Sequence, residues 1–222
     1  MYQHLDNKGH PIDLPVGKAV CVGRNYLDHI HELNNEVPEQ ALLFIKPSTA
    51  LVPFSGQIAI PTGLGACHNE LEIAVLMGDV VRKASPEQAM AAVWGYGLGL
   101  DLTLRDVQDK MKAKGQPWER AKAFDGSCPL SGYIAASDVS DPQALAFNLF
   151  VNGEQRQQGD AALMIHRIAD LISEISHHFT LLPGDVVLTG TPKGVGPLSA
   201  GDQLEAEVVN YLQVSAQVVA DC

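Results

Sequence analysis

Two glutamates, Glu70 and Glu72, stand one residue apart at the head of an otherwise apolar run, Leu71-Glu72-Ile73-Ala74-Val75-Leu76-Met77. A strand alternates its side chains between faces. Both carboxylates therefore project one way, while Leu71, Ile73, Val75 and Met77 project the other, into a core. Two like charges on a mostly apolar strand repel each other and resist burial. Either the acidic face is wet, or a hard cation with oxygen ligands neutralises the pair. A third carboxylate, Asp101, ends the next apolar run, Gly95-Tyr96-Gly97-Leu98-Gly99-Leu100. Three carboxylates suit Mg²⁺, Mn²⁺ or Ca²⁺ better than zinc, which favours histidine and cysteine.

Around this run the pattern is β-rich. Strands are expected at 19–22, 41–45, 57–60, 70–77, 96–100, 145–151, 185–189, 203–209 and 212–219. Asn152-Gly153 suits the two left-handed positions of a type I′ hairpin turn between Val151 and Glu154. Helices are expected at 86–93, capped by Ser85 with Pro86 at its first position, at 103–114, ending at Gly115 after three lysines, and at 161–176. The last places Leu163 or Met164, Ile168, Leu171, Ile172 and Ile175 on one face. Strands at both ends with helices between lack a regular βαβ alternation, so the expectation is an α+β fold dominated by mixed and antiparallel sheet. No repeat or linker divides the chain, which reads as a single domain over 1–222.

Composition narrows the partners. The 15 basic and 26 acidic residues give a formal charge of −11, which disfavours nucleic acid and anionic membrane as partners while leaving room for a local cationic pocket. No apolar run reaches membrane-spanning length, and the N-terminal residues lack the apolar stretch of a secretory signal. Cys21, Cys67, Cys128 and Cys222 show no paired spacing and read as reduced packing residues, so a cytoplasmic protein is expected.

Several segments offer chemistry, each with a plainer alternative. Gly23-Arg24-Asn25-Tyr26 leads into a short helix on which His29 and Glu32 are i, i+3 neighbours, so a carboxylate can orient an imidazole; the alternative is an exposed amphipathic turn. His31 faces away from this pair. Arg105 and Gln108 repeat the i, i+3 spacing as an anion and carbonyl recognition pair, or as an ordinary charged helix face. Lys122 is isolated among small and apolar residues, where it can hold a carboxylate or a developing enolate, or simply lie on the surface. Leu188-Thr189-Gly190-Thr191-Pro192-Lys193-Gly194 is a glycine-rich turn without P-loop or dinucleotide spacing. It can offer backbone N–H groups and the Thr191 hydroxyl to a small anion. His177-His178 reads as a helix end.

Seven strings, in this order, resemble the fumarylacetoacetate hydrolase family. They are Gly23-Arg24-Asn25-Tyr26 with His29 and Glu32; Leu43-Phe44-Ile45-Lys46-Pro47-Ser48; His68-Asn69-Glu70-Leu71-Glu72; the segment from Leu100 to Gln108; Gly115-Gln116-Pro117-Trp118; Ala121-Lys122-Ala123-Phe124; and Thr189 to Gly196. The resemblance is to its short, single-domain acylpyruvate hydrolases. It implies β-strands rolled around a metal site, with a few flanking helices, in a homodimer. It puts Glu70, Glu72 and Asp101 on Mg²⁺ or Mn²⁺, with Ca²⁺ possible in crystals. His29, Glu32 and Lys122 become catalytic, the first two as a water-activating dyad on a lid. Arg24, Arg105, Gln108 and Thr191 fall near the substrate, a small anionic keto acid. The implied reaction is hydrolysis of the carbon–carbon bond of an acylpyruvate through a pyruvate enolate. Oxaloacetate decarboxylation, oxaloacetate keto–enol tautomerisation and 2-hydroxy-dienoate isomerisation are the alternatives on the same site. Asn69 departs from a histidine that some relatives carry beside His68, but it points off the carboxylate face.

Overall fold

In the computed structural model, which describes residues 2–33 and 36–221, the acidic run becomes the strand Leu71–Met77, buried along its whole length. It lies inside an eight-stranded mixed sheet, ordered Leu42–Lys46, Ala19–Gly23, Val186–Leu188, Leu71–Met77, Val93–Leu100, Cys128–Leu130 and Leu51–Pro53, with Ile134–Ala135 also pairing Val93–Leu100. Leu71, Ile73, Val75 and Met77 join the larger apolar cluster with Leu171, Ile172 and Ile175 of the helix Ile168–His178. Ala74 and Leu76 join a smaller cluster with Cys21, Leu130 and Leu188 on the opposite face. Cover on both faces is why the run is almost continuously hydrophobic.

A second sheet of five strands runs Glu154–Asp160, Ala146–Val151, Gln203–Val208, Leu212–Asp221 and Gly56–Pro61. Its Phe147, Leu149, Val151, Leu204 and Val208 feed the larger cluster. The expected hairpin is present, with Asn152 at φ 54° and Gly153 at φ 80°. A small sheet of Gly196–Pro197, Cys67–Asn69 and Thr103–Leu104 leads the chain into Glu70 on one side and Arg105 on the other. The α+β, mostly β architecture is as expected.

Three helices differ in extent from expectation. Pro86–Ala91 carries a capping box between Ser85 and Gln88, but stops early because Val93 enters a sheet strand. The helix after Asp101 begins at Arg105, because Thr103 and Leu104 pair with His68 and Cys67. The third is broken into a 3₁₀ turn, Ala161–Leu163, and the helix Ile168–His178. Asp160 caps the turn at Ala162, and Met164 and Ile165 are drawn into backbone bonds with Tyr26 and Asn25. Met164 is therefore buried while Leu163 is exposed. Two short α-helices, Leu27–Glu32 and Glu119–Lys122, complete the α-helices among the described residues. His177 and His178 end the long helix. Among the described residues no helix is long and apolar enough to cross a membrane. Cys21, Cys67 and Cys128 are free and buried; Cys222 lies outside the described residues.

Candidate active site

Strand register assembles the acidic floor. Leu71 pairs with Leu100 and Glu72 with Gly99, and the Asp101 N–H donates to the Glu70 carbonyl at 2.8 Å. Glu70, Glu72 and Asp101 thereby bring carboxylate oxygens within 4.8 Å of one another. Their exposures are 5%, 1% and 1%, so the acidic face is not wet.

Cations make this burial tolerable. Lys122 Nζ, at the end of Glu119–Lys122, donates to Glu70 Oε2 at 2.7 Å and to Asp101 Oδ2 at 2.6 Å. Arg105 pairs with the other oxygen of Glu70 and donates to Gln108 Oε1 at 2.7 Å. Burial alone would raise the Glu70 carboxyl, but Lys122 and Arg105 outweigh it and hold it well below the usual carboxylate range. Burial likewise opposes the Lys122 ammonium, yet Asp101 and Glu70 prevail and raise it to about 12.

Glu72 is less well served. Its Oε2 accepts from the Gly190 N–H at 2.6 Å, while burial, Asp101 and Glu70 push its carboxyl well upward. Asp101 Oδ1 receives no hydrogen bond among the described residues, although Lys46 Nζ lies 2.9 Å away. An all-oxygen donor set of three buried carboxylates, one of them repelled by the other two, fits a hard divalent cation. Gly190 has φ 94°, and a Cβ there would lie 2.6 Å from the Asn25 Cβ, so only glycine brings this N–H to Glu72.

Lys46 went unassigned in the sequence. It is fully buried and donates to the carbonyls of Lys122 and Ser127, fixing the helix end that aims Lys122. Its signal was a lysine inside an apolar strand, in Leu43-Phe44-Ile45-Lys46. Gln157 was also missed. It donates to Thr191 Oγ1 at 2.8 Å and accepts from Asn69 Nδ2 and the Leu71 N–H, each at 2.9 Å. Asn69 thus lies off the carboxylate face. The Thr191 hydroxyl donates to the Leu71 carbonyl, so its hydrogen anchors the loop instead of reaching an anion.

The rim closes over this floor. His29 is buried, and its Nδ1 lies 3.4 Å from Glu32 Oε2. Burial lowers its basicity, with Glu70 and Glu32 opposing in part, so the ring is neutral at neutral pH. The Gly194 N–H donates to the Glu32 carboxylate, and Lys193 pairs with Asp28 at 2.9 Å. His31 is exposed. Arg24 adopts φ 62° in a turn locked by buried Asn25, which bonds the Thr189 and His166 carbonyls. One pocket is lined by Arg24, His29, Glu70, Glu72, Arg105, Gln108, Lys122 and Thr191 together with Phe44, Lys112 and Trp118. Its free space is about 30 Å³. Every site residue expected from the sequence lines it except Glu32, which reaches it through His29, and Asp101, which reaches it through Lys122.

Comparison with known proteins identifies the family. The model of the fumarylacetoacetate hydrolase C-terminal family matches residues 18–219. The oxaloacetate tautomerase YcgM of Escherichia coli is 58% identical over 92% of this chain and 94% of its own. The mitochondrial oxaloacetate tautomerase FAHD1 of Bos taurus is 46% identical over 90% of each. The fumarylpyruvate hydrolase of Pseudomonas aeruginosa, solved with Mn²⁺ and pyruvate, superposes with a TM-score of 0.92 at 36% identity, over 99% of this chain and 96% of that one. With its acidic floor, its buried lysine and the match across nearly its whole length, the chain belongs to the fumarylacetoacetate hydrolase family.

Proposed function

We propose that this protein is a divalent-metal-dependent oxaloacetate tautomerase, interconverting the keto and enol forms. One juxtaposition carries the reading: a charged lysine seated on the acidic floor and a neutral, carboxylate-oriented histidine share one pocket. Tautomerisation needs a charge holder at the keto oxygen and a proton carrier at the adjacent carbon. The tautomerase names of two relatives support oxaloacetate as substrate.

Glu70, Glu72 and Asp101 would hold Mg²⁺ or Mn²⁺, the latter supported by the Mn²⁺-containing neighbour. When bound, the cation supplies a Lewis acid for the oxygens of the α-keto acid. The protein's own groups divide the remaining work. In the tautomer this reading uses, the His29 Nδ1–H donates to Glu32, which leaves the Nε2 lone pair to accept the C3 proton. Lys122 has three N–H donors; two serve Glu70 and Asp101, and the third is available to the C2 oxygen as its charge grows. As an ammonium, Lys122 holds that charge by hydrogen bonding and keeps its proton. The proton from C3 returns to the C2 oxygen: a C–H bond breaks, an O–H bond forms, and no water is consumed.

Hydrolysis of acylpyruvates is the second reading, because the same His29–Glu32 pair can deprotonate water, and a fumarylpyruvate hydrolase shares the fold. Decay of enol-oxaloacetate absorbance, measured beside pyruvate release from acetylpyruvate with and without Mg²⁺ or Mn²⁺, separates the two. Metal-dependent acceleration of the enol decay is expected to outpace acetylpyruvate cleavage. The reverse order would replace tautomerase by hydrolase. We further propose one catalytic domain across 1–222, acting as a homodimer in the cytoplasm. The family match over 18–219 supports the first point, and the free, buried cysteines are compatible with a reducing compartment. The dimer rests on family resemblance and is checked by sedimentation.

A further inference from the structure

The helix Arg105–Ala113 turns three residues toward the pocket, Arg105, Gln108 and Lys112, at the i, i+3, i+7 spacing of a single face. The first two are engaged with each other and with Glu70. Lys112 is different. Half-buried, it has no carboxylate partner among the described residues, and its Nζ lies 5.4 Å from the centroid of the Trp118 ring. Trp118 lies 5.9 Å from Phe44, and Phe44 in turn carries Lys122 at 5.1 Å. Two neighbouring aromatic rings thus each carry a lysine. One lysine sits on the acidic floor; the other faces the same pocket with no carboxylate in ion-pair contact among the described residues.

The charges around the pocket point the same way. Its lining has four cationic side chains, Arg24, Arg105, Lys112 and Lys122, against the carboxylates of Glu70 and Glu72. Burial, then Arg105 and Arg24, disfavour the Lys112 ammonium, with Asp109 and Glu70 opposing in part, and an arriving anion would relieve the repulsion that is left. A monoanionic keto acid has its only carboxylate at the end that meets the floor. We infer that Lys112, carried on Trp118, binds a second carboxylate on the substrate and makes the pocket selective for keto diacids over keto acids with uncharged tails. This rests on the tautomerase reading for the identity of the diacid, but not for the preference itself. It gives Gly115-Gln116-Pro117-Trp118 a role: the turn returns the indole beneath the helix that ends before it.

The test is tryptophan-fluorescence titration of the Mn²⁺-loaded protein with pyruvate and with oxaloacetate, in wild type, Lys112→Met and Lys112→Arg, with melting temperatures confirming that each is folded. Lys112→Met is expected to weaken oxaloacetate binding about tenfold, or about 1.4 kcal/mol, while pyruvate stays within about twofold. Lys112→Arg should restore most of the difference. In turnover the Met variant should raise KM and leave kcat unchanged. Equal weakening of both ligands, or of neither, overturns the inference. A Lys112-dependent preference for oxaloacetate in a protein that does not accelerate tautomerisation would sink the proposed activity and leave this inference standing.

Discussion

The floor and the rim of the pocket are built by opposite means. The floor is placed by backbone register: Glu70, Glu72 and Asp101 meet because Leu71 faces Leu100 across an antiparallel ladder. The rim is placed by side chains. Glu32 on the Gly194 N–H and Lys193 on Asp28 join the helix Leu27–Glu32 to the glycine-rich loop, and the lysine pair is exposed. Register is cooperative with the whole sheet, whereas an exposed pair contributes little and is screened by salt. The floor should therefore behave as part of the fold, and the rim as a separable element.

The sharpest way to break this contrast is Glu72→Gln. Loss of a floor carboxylate should lower metal-dependent activity by at least about 10³-fold, because several kcal/mol of charge stabilisation disappears. The same change should raise the melting temperature of the metal-free protein, since Glu72 is the buried carboxylate that Asp101 and Glu70 repel. A metal-free variant that melts lower would show the floor to be relaxed without a cation. His29→Ala probes the rim: turnover should fall about 10²–10⁴-fold, with metal-induced stabilisation in thermal melts unchanged. If metal binding also falls, floor and rim are one unit.

Lys46→Met tests the floor's support. Removing one member of a buried ionic cluster costs about 3–5 kcal/mol, measured by urea denaturation, and the loss should appear with or without metal. Behind the floor, buried His4 bonds the Gly184 carbonyl at 3.0 Å, just before the strand Val186–Leu188. Burial lowers its folded-state pKa below 6.5. The folded protein therefore binds fewer protons than the unfolded chain, so stability is full above that value and declines as pH falls below it. His4→Gln should flatten this part of the acid limb in denaturation curves. Smallest of all, Lys193→Ala should leave the melting temperature unchanged; a measurable drop would mean that the rim is integral to the fold.

The floor was the most legible part of the molecule, because paired carboxylates in an apolar strand conflict with burial unless something resolves the conflict. The rim residues His29 and Glu32 were legible as a spacing, yet only the fold shows that Gly194 holds Glu32 over the pocket. Lys46 was legible only as a lysine out of place in an apolar strand, and Gln157 not at all. Their roles depend on partners 76 and 34 positions away in the chain, Lys122 and Thr191. The same holds for the broken helix near 161–176: its hydrophobic spacing was sound, but backbone bonds to Asn25 and Tyr26 pulled Met164 and Ile165 out of it. Local pattern reads local geometry. Long-range hydrogen bonds override it.

The strand Ala19–Gly23 lies in parallel beside Val186–Leu188, which in turn pairs with Leu71–Met77. The three carboxylates leave the ribosome long before Gly190 and Thr191 do. A nascent chain therefore carries its acidic strand without the amide that Glu72 uses and without the loop that Glu32 uses. Closing so many distant pairs makes folding slow relative to a helical protein of equal stability. The ability to close the pocket is acquired only after the acidic strand has been made.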